Sequence, residues 1–193
     1  MSPFKIDSQQ ETFVRSLDKQ FGREVVVTQR FSNLINAVVV SASANQLQQV
    51  MSQNDVKHIS KVIHHKINKT DNVTNIELIN ADQVWQLASG DDFITGKGVT
   101  VAILDTGIDY SHPDLGGCFG AECKVYGGYD FINEDAEPFD DESHGTHVAG
   151  IVAANGTLRG VAPDASLLAV KVCDEHGSCP TTDIIEGLEY TLD

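Results

Sequence analysis

The sequence predicts an α/β domain with a mostly parallel sheet over its second half, preceded by a small α+β module. Three observations carry that expectation. From residue 81 onward, apolar runs suited to buried strands alternate with helical segments, the order that builds a parallel sheet. Residues 24–63 read instead as strand, strand, helix and strand. The charge also breaks near residue 80: the first 80 residues hold nine Lys and Arg against seven Asp and Glu, and the remainder four against twenty-one.

In chain order, Gln9 to Phe21 reads as an amphipathic helix, because Phe13, Leu17 and Phe21 repeat every four residues. Glu24 to Arg30 and Ile35 to Ser41 are rich in strand formers and flank a polar turn at Ser32-Asn33. Ser43 followed by Gln46 is a capping-box signal that opens a helix through Ser52. Val56 to Ile63 returns as a strand, and Lys66 to Asn75 is a polar linker. The chain therefore divides into modules 1–75 and 76–193.

In the second module, Asp82 is placed to cap a short helix bearing Val84, Trp85 and Leu87. Gly96-Lys97-Gly98 turns into Val99–Leu104, an apolar run fit for a strand buried on both faces. Residues 111–142, rich in Gly, Asp, Pro and Glu, read as long surface loops around a strand near Tyr126–Phe131. A helix from His144 to Ala154 stops at Asn155-Gly156. Ser166–Val172 is a further buried strand, and Thr182–Leu192 a further helix.

Composition excludes several classes. A net charge of −15 argues against nucleic acid and against anionic membrane as partners. No apolar run is long enough to span a bilayer. Met1 to Gln10 lacks the apolar core of a secretory signal peptide. The modules of opposite sign could attract one another; a merely solvated acidic surface is the alternative. Cys118/Cys123 and Cys173/Cys179 are spaced for local disulfides, which need an oxidising compartment. Zinc ligation and free thiols are the rival states, and neither pair has zinc-ribbon spacing.

The chemistry concentrates in two places. Asp105 closes the Val99–Leu104 strand, at the end where open α/β sheets gather their ligand groups. Alone, Asp105-Thr106-Gly107 is a turn aspartate or one half of an aspartic-protease dyad. His144, at the start of a helix lined with Gly, Ala and Val, shifts the balance. A carboxylate held against one ring nitrogen fixes the tautomer, while the other nitrogen takes a proton from a nucleophile. Asp105 and His144 have the residue types and settings for those two roles.

The motifs resemble those of the subtilisin family of serine proteases (subtilases, peptidase S8), and among them the minor extracellular type. Ala102 to Asp109 with His112-Pro113-Asp114-Leu115 is similar to the family's aspartate motif. His144 to Gly150 is similar to its histidine motif. Gly160 to Ala165 with Leu168 to Val172 is similar to the stretch that follows. The resemblance covers about residues 96–193 and implies a partial subtilisin-like sheet with helices on both faces. It also implies a serine endopeptidase acting on protein or peptide substrates through an Asp-His-Ser triad. Asp105 would orient the base and His144 would be the general base and acid; His147 matches the motif without being that base. Residues 1–75 would be an inhibitor-type prodomain, a partner of the catalytic domain whose tail occupies the cleft, cleaved within 64–80. An extracellular location follows from the same resemblance.

Two departures are expected to matter. No Gly-Thr-Ser-Met-Ala type nucleophile motif occurs up to Asp193, so these residues alone should be inactive. Ser178, in a loop, is no substitute. Asp114 matches one ligand of a family calcium site whose remaining loop is absent. Calcium is the one cofactor left open, at Asp130, Asn133, Glu134, Asp135, Glu137, Asp140 and Asp141, where a solvated acidic loop is the commoner outcome. His64-His65 reads as a polar strand end before it reads as a metal site. Asn68, Asn72 and Asn155 lie in Asn-x-Thr sequons. The non-enzymatic alternative is an inhibitor or folding chaperone acting through residues 1–75.

Overall fold

In the computed structural model, which describes residues 3–67, 76–90 and 92–192, the first helix starts earlier than its aromatic repeat predicts. Ile6, Gln10, Val14 and Leu17 recur at helical spacing and all four are buried, so α1 runs over Pro3–Phe21. The polar Gln10 hides this stripe in the sequence. Its Nε2 donates to the Phe31 carbonyl at 2.7 Å and to Asn36 Oδ1 at 3.0 Å, which makes its burial tolerable. Strands β1 (Val26–Phe31) and β2 (Ala37–Ser41) form an antiparallel hairpin. Helix α2 (Ala44–Met51) opens on the expected capping box, with the Ser43 N–H donating to Gln46 Oε1 at 2.7 Å. Leu17, Val25 and Val50 are the centre of this unit's core, with Phe13, Phe21, Val56 and Ile59 packed on them.

The expected strand Val56–Ile63 does not form. Val56 and Ile59 instead pack on that core, and a strand without a ladder partner has no backbone bonds to gain. Pairing begins only at β3 (His64–Lys66), which runs antiparallel to Ser178–Pro180. Two compact units result: Met1–Ile63 with Leu188–Asp193, and His64–Gly187. The linker read over Lys66–Asn75 lies largely outside the described residues, as do the sequons at Asn68 and Asn72.

The second unit continues with α3 (Ala81–Val84), β4 (Ala88–Ser89) and β5 (Asp92–Phe93). The cap of α3 is Asn80, at φ 58°, and Asp82 falls inside the first turn. Asparagine tolerates that left-handed conformation better than most residues do. Then follow β6 (Thr100–Asp105), β7 (Val125–Asp130), α4 (His144–Ala153), β8 (Ser166–Lys171), β9 (Ser178–Pro180) and α5 (Thr181–Tyr190). β6, β8 and β7 form an all-parallel sheet in that spatial order.

Helices cover both faces of this sheet. On one side Ala149 and Ala153 of α4 pack with Ile103, Leu167 and Ala169. On the other, Val170, Val172, Ala102 and Leu104 meet Ile184 of α5. Alternate strand residues thus face alternate clusters, as the pleat requires. The register ends together: Asp105, Lys171 and Asp130 stand abreast at the carboxyl edge. Both cysteine pairs, Cys118–Cys123 and Cys173–Cys179, are disulfides.

Candidate active site

The carboxyl edge of the parallel sheet brings Asp105 to the first residue of α4. His144 Nδ1 lies 2.8 and 2.9 Å from the two carboxylate oxygens of Asp105. An ionised carboxylate only accepts, so Nδ1 carries the proton and Nε2 is left as the ring's acceptor. Asp105 is 8% exposed, and the Thr106 N–H donates to its Oδ1 at 2.8 Å. The His144 side chain keeps 20% of its surface, enough to meet a reacting group. His147, one turn further, is exposed and takes no part in the pair.

Small residues make this approach geometrically possible. A Cβ on Gly145 would stand 2.1 Å from the Gly107 carbonyl oxygen and 3.2 Å from Asp105 Cβ. Gly107 itself has φ +107°, and a Cβ there would meet the Pro138 and Phe139 carbonyls at 2.7 Å. Glycine is therefore required at both positions for the helix to seat against the strand end. Ser143, just before α4, also adopts a left-handed φ of 87°, which turns the chain into the helix.

Beneath the pair lies a polar network that the sequence reading missed. Asp140 accepts from Thr106 Oγ1 at 2.8 Å, Ser143 N at 2.9 Å, Glu142 N at 3.0 Å and Thr146 N at 2.8 Å, and from the Thr146 hydroxyl. Burial pushes the Asp140 carboxyl up, but the Thr146 hydroxyl and these backbone N–H groups outweigh it and hold it below the usual carboxylate range. Lys171, 1% exposed, donates to the Thr106 carbonyl and to Asp141 Oδ1, each at 2.6 Å. The signal for Asp140 was its place four residues ahead of the helix start, where a carboxylate can take unpaired N–H groups.

The acidic loop is thus not uniformly solvated. Asp130 and Asp140 are buried, and Asp130 accepts from Ile132 N, Asn133 N and Asn133 Nδ2. Glu137 accepts from the Tyr110 hydroxyl at 2.7 Å; burial, then that bond, pushes the phenol up to about 12. Asp135 accepts from the Glu137 N–H. These carboxylates are spent on separate turns, and among the described residues no three His, Cys, Asp or Glu converge as a metal centre. Asp114 accepts from Leu158 N and Thr157 N, which hold it below the usual carboxylate range. It closes the short connection after α4.

Ser178 lies on β9, not in a loop, and its hydroxyl is 3.4 Å from His64 Nδ1. His65 Nε2 is 3.2 Å from Thr181 Oγ1. The two histidines are strand residues bonded to hydroxyls. Asn155 donates its amide to Asp164 at 3.0 Å. No helix of the described residues is long and apolar enough to cross a membrane.

Comparison with known proteins agrees with the motifs. The profile of the subtilase family, peptidase S8, matches residues 96–193. The minor extracellular protease Vpr of Bacillus subtilis is 35% identical over 86% of this chain, which covers 22% of Vpr. Serine protease AprX of the same organism is 39% identical over 83% of this chain and 35% of its own length. Thermitase of Thermoactinomyces vulgaris is 44% identical over 60% of this chain and 38% of its own. The chain therefore spans between about a fifth and two fifths of these relatives. With half its length matched by the family profile, the chain belongs to the subtilase family, peptidase S8.

Proposed function

We propose that Asp105 and His144 are the orienting acid and the general base of a peptide-bond hydrolase whose nucleophile is a serine. The carrying observation is the bond from His144 Nδ1 to both oxygens of the buried Asp105. With Nδ1 bound, Nε2 takes the proton of a serine hydroxyl as Oγ attacks the substrate carbonyl, then returns it to the leaving amine. Asp105 holds the ring and stabilises the imidazolium without becoming protonated. The serine is proposed to come from outside residues 1–193, which carry no nucleophile motif, so these residues by themselves are expected to be inactive.

Residues 1–75 act in this reading as the prodomain. The antiparallel pairing of β3 with β9 supports it, because His64–Lys66 lies along a strand edge as an extended peptide would. The linker that follows is the proposed processing region. Inhibition of a related subtilase by residues 1–75 is the corresponding alternative activity. The two disulfides and the extracellular relative support an extracellular location.

The test is peptide hydrolysis by the protein isolated from the cells that make it. His144→Ala is expected to lower kcat by about 10⁴-fold or more with the fold retained, and Asp105→Asn by about 10⁴-fold. Hydrolysis unchanged in His144→Ala would overturn the assignment.

A further inference from the structure

We propose that Asp140 is the positioning residue that fixes the Asp105–His144 distance, a role that rests on the peptidase reading above. Its carboxylate sits between the two elements that carry the pair. One oxygen, Oδ1, accepts from Thr106 Oγ1 at 2.8 Å, the residue after Asp105, and from the backbone N–H groups of Glu142 and Ser143. The other, Oδ2, accepts from Thr146 N at 2.8 Å and from the Thr146 hydroxyl, in the first turn of α4.

Each threonine then bonds the opposite element. Thr106 Oγ1 accepts from Gly145 N at 2.9 Å, so the strand end reaches the helix directly. Thr146 Oγ1 accepts from Asp109 N at 2.8 Å, so the helix reaches the segment after the strand. Asp140 orients both hydroxyls: each must give its one proton to the carboxylate, which leaves its lone pairs for the N–H groups. A neutral amide in place of the carboxylate offers one acceptor oxygen in place of two. Either the Thr106 hydroxyl with the Glu142 and Ser143 N–H groups, or the Thr146 hydroxyl and N–H, then faces an NH₂ group and loses its acceptor, which loosens the tie between strand end and helix.

Asp140 makes none of these bonds to Asp105 or His144 side chains. It acts through their neighbours. Misplacement of a catalytic group by about 1 Å costs on the order of 10²-fold in rate, which sets the expected size of its removal. Substrate affinity is not expected to change with it.

The experiment places Asp140→Asn, Thr106→Val, Thr106→Ser and His144→Ala in the protein isolated from its source cells. Two quantities are read: kcat and KM for peptide hydrolysis, and the strongly downfield proton resonance of His144 Nδ1–H bonded to Asp105. Asp140→Asn is expected to lower kcat by about 10²-fold with KM within about twofold, and to shift or broaden the downfield resonance. Thr106→Val should do the same, and Thr106→Ser, which restores the hydroxyl, should return both readouts to the parent values. A parent-like kcat and resonance in Asp140→Asn would overturn the inference. Should Asp140→Asn not fold, the Thr106 pair decides: Val and Ser behaving alike overturns it. Failure of the peptidase reading is distinct, since His144→Ala would then hydrolyse peptide like the parent.

Discussion

Asp140 and Asp114 do by carboxylate what water does elsewhere, taking up backbone N–H groups at chain turns. Both are held below the usual carboxylate range. A group whose folded pKa is depressed binds fewer protons than in the unfolded chain, so stability rises with pH through that window. Their contribution is complete above the unfolded carboxylate value of about 3.9 and disappears as pH falls through the folded one. Denaturant midpoints measured between neutral and strongly acid pH should therefore fall on acidification in the parent. Asp140→Asn should be less stable at neutral pH and lose less on acidification. Parallel curves for the two proteins would show that Asp140 is not linked to folding.

At the scale of elements, the seat of α4 on β6 is set by Gly145. Alanine in a helix ordinarily gains about 1 kcal/mol over glycine from backbone propensity. Here its Cβ would sit 2.1 Å from a backbone oxygen, and overpacking against rigid neighbours costs about 1–3 kcal/mol or more. The steric term outweighs propensity, because the opposing atom is backbone and cannot rotate away. Gly145→Ala is expected to lower stability and to part Asp105 from His144. A stabilised Gly145→Ala protein, seen as a raised thermal midpoint, would mean that helix and strand are less closely seated than described. The strand and helix that carry the pair were legible in the sequence, since Val99–Leu104 and His144–Ala154 announce themselves by apolar runs and punctuation. Val56–Ile63 misled for a physical reason: strand-forming residue types say nothing of whether a partner edge is available. The partner of β3 is β9, more than a hundred residues away in sequence, which no local pattern encodes. The Asp140 network was nearly as hidden: in a run of acidic residues only its place just ahead of α4 sets a buried, N–H-paired carboxylate apart from a solvated one.

Across the whole molecule, two compact units, an all-parallel sheet covered on both faces and the Asp105–His144 pair at its carboxyl edge form one account. Family membership rests on residues 96–193, and the first unit enters the account through the proposed prodomain. The central claim is that His144 activates a serine for attack on a carbonyl. The most direct measurement is the rate at which a fluorophosphonate, which modifies activated serines, labels the protein isolated from its source cells, compared with its His144→Ala variant. The account predicts stoichiometric labelling of one serine in the parent, slowed by about 10³-fold or more in the variant. Equal labelling of both, or none in a parent that hydrolyses peptides, would contradict it.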